Sequence, residues 1–405
     1  MRIIVAGGGI GGLAAALRLH QSGHDVVVLE AAAEIRPLGV GINLLPHSGA
    51  VLAALGVLPA LEAEAVATRE LVYFNRHGQR IWSEPRGRYA GHATPQLSLH
   101  RGRLQLVLFD AVRTRIGESH ILTAHRVTRV EQDGAGVTVL AERPGAAPVQ
   151  VRGDVLIGAD GIHSTIRAQF YPHEGPPAYS GRVLWRGLTV AAPFLTSASM
   201  IMAGHQNQKF VAYPIGPVRP DGLQPINWIA ELPVPGMLQR EDWNRPGALG
   251  SFLPAFEGWT FDWLDSPALI RSAENVFEFP MVDRDPLPRW SHGRVTLLGD
   301  AAHPMYPVGS NGASQAILDA EALAKALDEQ ASPEDALAAY DGERLPATAA
   351  IVRANRGNGP EQCMQLAEER APQGFERLED VFAPGELEAI SKSYQVLTGL
   401  RRRDA

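Results

Sequence analysis

Three glycines near the start of the chain, Gly7, Gly9 and Gly12, stand at G-x-G-x-x-G spacing, and an acid, Glu30, follows eighteen residues after the last of them. These residue types in this order suit a phosphate-bearing ligand. The first glycine allows a tight turn, the second lets backbone approach a pyrophosphate, and the third lets a helix pack on a strand. The helix N-terminus adds free amides and a positive dipole end. A carboxylate at Glu30 can accept the hydrogen bonds of a ribose diol. The flanks strengthen the reading. Ile3-Ile4-Val5-Ala6 and Asp25-Val26-Val27-Val28-Leu29 read as buried parallel strands, and Leu13 to Leu19 as an Ala/Leu-rich helix between them. Strand, glycines, helix, strand and acid within one unit predict a dinucleotide site. Arg2, the apolar run and Ala14-Ala15-Ala16 imitate a secretory leader, but five glycines in six positions would disrupt its helix, so no signal peptide is expected.

A second constellation lies at residues 297–313. The run Arg294 to Leu298 reads as a buried strand ending in Gly299-Asp300, which places a carboxylate where it can bind a polyol hydroxyl. Pro307 to Ala313 then opens a helix whose free amides would stabilise negative charge in front of it. Taken alone, this stretch is equally well a strand–turn–helix with a capping Asp. A third strand, Asp154 to Ile157, ends in Gly158-Ala159-Asp160-Gly161. Thirteen histidines include no H-E-x-x-H pair, and no metal site is expected. A nucleophile elbow and a P-loop are likewise missing. Asp283, Arg284 and Asp285, set between prolines, read as a solvated connector.

The 405 residues allow two ordinary domains, or one domain carrying a large insertion, and 45% hydrophobic with 20% charged residues is a globular balance. A net charge of −7 argues against a nucleic-acid partner. No apolar run reaches the ~18 residues of a membrane span. The single cysteine, Cys363, can form neither an internal disulfide nor a C-x-x-C pair, which fits a cytoplasmic protein. The tail Arg401-Arg402-Arg403 reads as a solvated end. Residues 35–43 read as a shaped loop, neither helix nor strand, and 47–55 as a helix closed by Gly56. A hairpin is expected at 71–82, a helix at 104–116, and strands at 126–131 and 137–141. From about 179 to 282 the texture is strand-like, at 182–190, 199–203, 209–214 and 226–232, with proline- and glycine-rich turns and a short helix at 249–256. Long helices follow at 311–330 and 333–355, then a mainly helical tail.

The ordered marks Gly7–Gly12, Asp160–Gly161 and Gly299–Asp300 resemble those of the single-component FAD-dependent aromatic hydroxylases of the p-hydroxybenzoate hydroxylase type. The wording of Gly158-Ala159-Asp160-Gly161-Ile162-His163-Ser164 is especially similar. Segments outside these marks, such as Trp82 to Gly87, Pro280 to Pro288 and Asn311 to Asp319, look like the phenazine-carboxylate monooxygenases of that family. The resemblance implies an α/β fold: a Rossmann-type FAD-binding domain (1–71, 97–178 and 283–355), an inserted, mostly antiparallel β-sheet substrate domain (72–96 and 179–282), and a C-terminal helical segment (356–405). It implies tightly but non-covalently bound FAD, with Gly7, Gly9, Ile10 and Gly12 at the pyrophosphate and Glu30 with Ala31 at the adenosine ribose. Val127 would meet the adenine through its backbone, Arg101 the phosphate and ribityl region, and Asp300 the ribityl hydroxyls. Val40, Gly41, Gly312 and Ala313 would line the isoalloxazine. Asp160 is either a cofactor contact or, with Arg167, purely structural.

The implied reaction is cofactor chemistry. NADH or NADPH binds transiently and reduces the FAD, and dioxygen gives a C4a-hydroperoxyflavin. A planar aromatic, phenazine-like on the closer resemblance, is then hydroxylated or oxidatively decarboxylated. The missing second glycine fingerprint fits a nicotinamide without its own domain. Candidate substrate contacts are Trp185, Arg186 and Tyr213 on the insert and Met305, beside Tyr306, in the flavin turn. Each is also explicable as core, and Arg186 as a salt bridge to the flavin domain. A cation at Arg186 could hold a carboxylate. Two other readings stay open: an oxidase or dehydrogenase of the same fold, and a non-catalytic binder of aromatics. The chain is expected to act as a monomer or homodimer.

Overall fold

The run of β-branched residues at the N-terminus forms β1 (Arg2–Ala6), with all but Arg2 buried. A strand covered by helices on both faces has no solvent side, so its sequence is apolar throughout. In the computed structural model, which describes residues 1–37, 39–236 and 245–400, β1 is the centre of a five-stranded, all-parallel sheet. Leu38 and Arg401–Arg403 lie outside the described residues. The neighbours of β1 are β2 (Asp25–Leu29) and β12 (Val155–Gly158), with β8 (Ile121–Leu122) and β20 (Val295–Leu297) at the edges. The helix α1 (Ile10–Gln21) connects β1 to β2 and packs on α4 (Arg101–Arg115) and α8 (Gly312–Glu329). The predicted helix at 333–355 is α9 (Pro333–Arg356), capped by Ser332, whose hydroxyl accepts from the Asp335 amide.

The expected strands at 126–131 and 137–141 are β9 (Arg126–Asp133) and β10 (Gly136–Arg143), with β11 (Ala146–Gly153) as a third strand beside them. That third strand was not legible because most of its residues are exposed, leaving little apolar alternation. Residues expected to form only a loop instead contain β3 (Gly41–Leu44), which pairs with β7 (Leu97–His100); β4 (Val66–Ala67) completes this small sheet. Its partner lies more than fifty residues away, so local composition gave no sign of it. The short helices α2 (Pro46–Ala54), α3 (Leu58–Glu62) and α5 (Thr165–Phe170) join these elements.

The insert forms a seven-stranded sheet in the order β19 (Val276–Asp283), β13 (Ala178–Ala191), β16 (Gln224–Pro233), β15 (Gln208–Pro214), β14 (Ser199–His205), β5 (Glu70–Phe74) and β6 (Arg80–Pro85). Neighbours are antiparallel except β14 and β5. Alternation gives the sheet two unlike faces. Trp185, Trp228 and Phe210 pack on Phe252, Phe256 and Leu269 from α6 (Leu253–Phe256), α7 (Ser266–Arg271) and their approaches, next to the small hairpin β17 (Thr260–Phe261) and β18 (Leu264–Asp265). The other face carries Tyr73, Met202 and Tyr213, and is covered by the C-terminal helices α10 (Gln362–Arg370) and α11 (Glu386–Leu397) through Cys363, Met364 and Leu387. Next to that cover, Leu184, Phe279 and Met281 meet Tyr306 and Val308, which follow β20 of the parallel sheet.

Of the connector expected to be solvated at 283–285, only Asp285 is exposed. Asp283 is fully buried and receives Arg356 Nε at 2.7 Å and Nη2 at 2.9 Å, while Arg356 Nη1 reaches Asp285 at 2.7 Å. Arg284 donates to the carbonyls of Ile162 and Gly175. The chain passes from the large sheet back to the parallel sheet here, and Arg356 ties Asp283 and Asp285 to α9.

Candidate active site

The two ends of the site are built differently. At the N-terminal turn, Gly7 has φ +116°, and a Cβ there would strike the Ala159 carbonyl; one on Gly12 would strike the Gly7 carbonyl. These two glycines are required by packing. A Cβ on Gly9 would meet nothing within 4 Å, so the turn opens there as a cradle for a phosphate must. The Glu30 carboxylate is already held, accepting from the Gly8 and Ala32 amides at 2.6 Å each. Gln105, which sequence reasoning missed, donates to the Gly8 carbonyl at 2.8 Å from α4. Backbone bonds from His125 to Glu30 and from Ala124 to Ala32 lay the segment entering Val127 alongside Ala31. Ile10 opens α1.

Asp160 accepts the Thr165 amide at 2.8 Å through Oδ2, so it caps α5, while its Oδ1 is buried without a protein partner. Burial pushes its carboxyl up despite the Ser164 hydroxyl and the capping amides. Arg167 is structural. It is buried and donates to the Ala301 and Ala302 carbonyls at 3.0 and 2.9 Å, supporting the turn that carries Asp300. Asp300 itself is exposed directly after β20. Behind this turn lies a network that sequence reasoning missed. His303 Nε2 meets Asp319 Oδ2 at 2.5 Å, Arg344 Nε donates to Asp319 Oδ1 at 2.8 Å, and the Gly299 amide reaches Asp319 Oδ2 at 3.1 Å. Burial would raise the Asp319 carboxyl, but His303 and Arg344 together outweigh it and hold it at about 2.

At the ring end, the Arg101 amide bonds the Val40 carbonyl at 2.9 Å, which sets the Arg101 side chain at the N-terminus of α4. Gly41 is clamped from the large sheet on both sides. Its amide donates to Asn227 Oδ1 at 2.7 Å, and its carbonyl accepts from Arg186 Nη2 at 2.8 Å. A side chain at Gly41 would run into Asn227. Gly312 faces open space at the start of α8, with Ala313 half-buried beside it.

Of the proposed substrate contacts, Arg186 and Tyr213 lie on the sheet face toward the flavin turn. Arg186 lies 5.8 Å from the Phe279 ring centroid, and its Nε is buried without a protein partner. Burial lowers the Arg186 pKa, Tyr213 opposes this by charge and hydrogen bond, and nearby Arg101 adds to the lowering. Among the described residues no carboxylate forms an ion pair with it, so the alternative of a salt bridge to the flavin domain is not met, and the guanidinium instead bonds the Gly41 carbonyl. Burial raises the Tyr213 phenol, while Arg186, Asn43 and Asn227 oppose the shift. Met305 is half-buried in the flavin turn. Trp185 is not brought to this group. One residue from Arg186 on the same strand, it points to the opposite face, where it stacks on Phe252 at 4.9 Å and donates to Glu278 at 3.0 Å. A pleat of period two cannot deliver both neighbours to one pocket.

These features fit FAD. Gly9 and Gly312 each leave open space where a side chain would stand, and Asp160 Oδ1 is buried without a protein partner. Comparison with known proteins agrees. A family model described as an FAD binding domain matches residues 1–245 and 267–355. The chain is 47% identical over 361 residues to a phenazine 1,6-dicarboxylic acid hydroxylase, PhzS, of Lysobacter antibioticus, covering 87% of this chain and 89% of that one. It is 34% identical to a 3-hydroxybenzoate 6-hydroxylase of Polaromonas naphthalenivorans, covering 88% and 87%. The crystal structure of a point variant of Klebsiella pneumoniae HpxO complexed with FAD superposes with a TM-score of 0.74 at 25% identity, covering 98% and 94%. No helix among the described residues is long and apolar enough to cross a membrane. The chain belongs to the FAD-binding aromatic hydroxylases, flavin monooxygenases that use NAD(P)H and dioxygen on planar aromatic substrates.

Proposed function

We propose that the substrate is a flat nitrogen heteroarene bearing a ring carboxylate, of the phenazine carboxylate class, and that Arg186 holds that carboxylate. One observation carries this reading: a half-buried guanidinium whose Nε is buried without a protein partner, unmatched by any carboxylate of the described residues, beside aromatic side chains between the sheet and the flavin turn. A buried charge without a counterion is costly, and a substrate carboxylate removes the cost on binding. Phe279, Phe277 and Tyr306 offer ring faces and edges to a planar ligand. The relative that acts on a phenazine dicarboxylate supports the same class. Bound FAD supplies the activation of dioxygen. The chain orients the arene with Arg186 and Tyr213, fixes the ring edge through Gly41 and excludes water by covering the sheet face.

The test is NADH and NADPH consumption by the FAD-loaded protein with aromatic carboxylates and phenazines, with product mass recorded under labelled dioxygen. Strong stimulation by a phenazine carboxylate with one labelled oxygen in the product is expected. Retained or lost CO₂ then separates hydroxylation from oxidative decarboxylation. Stimulation only by arenes without a carboxylate sinks the proposal for Arg186, and unlabelled product would return the chain to the oxidases.

A further inference from the structure

The turn facing the flavin is held from a part of the chain that the glycine fingerprints do not reach. Tyr394, on α11, is buried, and burial with nearby Glu361 raises its phenol so that it keeps its one proton. It accepts from Asn311 Nδ2 at 2.8 Å and donates to Asn355 Oδ1 at 2.7 Å, with the Val308 carbonyl at 3.3 Å. Asn311 also donates to the Gly309 carbonyl at 3.2 Å, and Asn355 Nδ2 donates to the Tyr306 carbonyl at 3.0 Å. Two side chains from outside the turn thus grip residues 306–311, directly before the open amides of Gly312 and Ala313.

The Tyr394 ring fits only because two residues lack side chains. A Cβ on Gly309 would run into its hydroxyl, and one on Gly359 would come within 2.8 Å of its Cε2. Both glycines have positive φ, +67° and +49°. The helix that carries Tyr394 is itself anchored to the large sheet, where Ser391 Oγ and Gln395 Nε2 both donate to Glu84 Oε2 on β6, Gln395 at 3.0 Å. The segment just before α10 is tied to the same sheet by Lys209, which reaches Glu361 at 2.6 Å and Glu231 at 2.7 Å, all three buried. The C-terminal segment is therefore a fixed support for the turn, more than a cover.

We propose that Tyr394 is a positioning residue for the flavin reaction: its hydroxyl sets where the Gly312 and Ala313 amides stand against the flavin ring, and so how strongly bound FAD favours its reduced, negatively charged form. The inference rests on FAD lying in front of the α8 N-terminus. Amides aimed at a developing charge act strongly only when held in place beforehand.

Tyr394→Phe keeps the ring between the two glycines and removes only the hydroxyl. The expected result is a tenfold loss in the preference for reduced over oxidised flavin, read as a midpoint potential lower by about 30 mV. A larger fraction of NAD(P)H should end as hydrogen peroxide, with the melting temperature little changed. Asn355→Leu, which cuts the same network from α9, should shift the potential the same way, and serves as the reading if Tyr394→Phe cannot be loaded. An unchanged potential and peroxide fraction, with only a lower melting temperature, would overturn the proposal, since packing alone predicts that pattern. Gly312→Val tests the premise separately: undiminished FAD binding there would show that the flavin does not lie in front of this helix.

Discussion

The N-terminal glycine turn and the Gly41–Gly312 region, which we propose as the adenosine end and the ring end of one FAD site, are constructed on different principles. The first is local. Gly7, Gly12 and Glu30 fall within thirty residues, and the Gly12–Gly7 and Glu30–Gly8 contacts that shape the turn lie within one βαβ unit, with Ala159, Gln105, Leu298 and Ala316 packing on it from outside. The second is assembled at long range. Gly41 is held by Arg186 and Asn227, the 299–303 turn by Arg167, Asp319 and Arg344, and the 306–311 turn by Asn355 and Tyr394. A binding end common to many flavin proteins can be a closed unit. The end that must select a substrate and hold a reactive ring draws on several parts of the chain, so each can be altered alone.

The comparison breaks most sharply at Gly12. Gly12→Val would force a side chain into the Gly7 carbonyl, where backbone cannot yield. Overpacking of this kind costs about 3 kcal/mol, and the protein should purify without FAD; a yellow, FAD-loaded variant would show that the turn relaxes. At the ring end, Arg186→Met should leave FAD bound but lower kcat/KM for a carboxylated arene about a hundredfold, about 2.7 kcal/mol. An analogue without the carboxylate should lose far less. Equal losses for both would assign Arg186 to Gly41 alone.

This difference in construction also decided what the sequence revealed. The parallel strands and long helices were legible because burial on both faces, or on a helical stripe, writes itself into apolar periodicity. Glycine spacing revealed the adenosine end for the same local reason. Arg186 and Tyr213 could be proposed from strand patterning, but patterning could not say which neighbour faces the flavin, and Trp185 went to the other side. The Asp319 network and Tyr394 join residues up to 86 positions apart, as with Val308 and Tyr394. No periodicity marks such partners, and a Tyr in a polar helical tail looks like any other.

Acid should separate the two ends. The Asp319 carboxyl is held at about 2 in the fold, against about 3.9 in an unfolded chain. A depressed folded value stabilises above the unfolded pKa and is lost as pH falls through the folded one. The carboxylate therefore contributes on the order of 2–3 kcal/mol at neutral pH, in full above about pH 4 and fading toward pH 2. Urea unfolding from pH 5 to pH 2 should show this loss in the wild type and a flatter profile in Asp319→Asn, which starts less stable. Parallel profiles would mean that His303 and Arg344 do not hold the charge as their distances indicate.

The smallest effect is expected at Glu30, and it tests whether the ends are independent. Its two oxygens each accept one backbone amide, from Gly8 and Ala32. Glu30→Gln keeps one acceptor and turns an NH₂ group toward the other amide, so one bond is lost and two donors face each other. Loss of one charge-assisted bond at a half-buried site corresponds to about 1.4 kcal/mol, a tenfold weaker FAD Kd. No bond from Glu30 reaches Gly41, Asp300 or the 306–311 turn. With FAD saturating, kcat and the fraction of NAD(P)H coupled to oxygen transfer should therefore equal the wild type. A changed coupling ratio at saturation would show that strain at Gly8 passes along α1 to α8, which pack directly on each other, and the two ends would have to be treated as one unit.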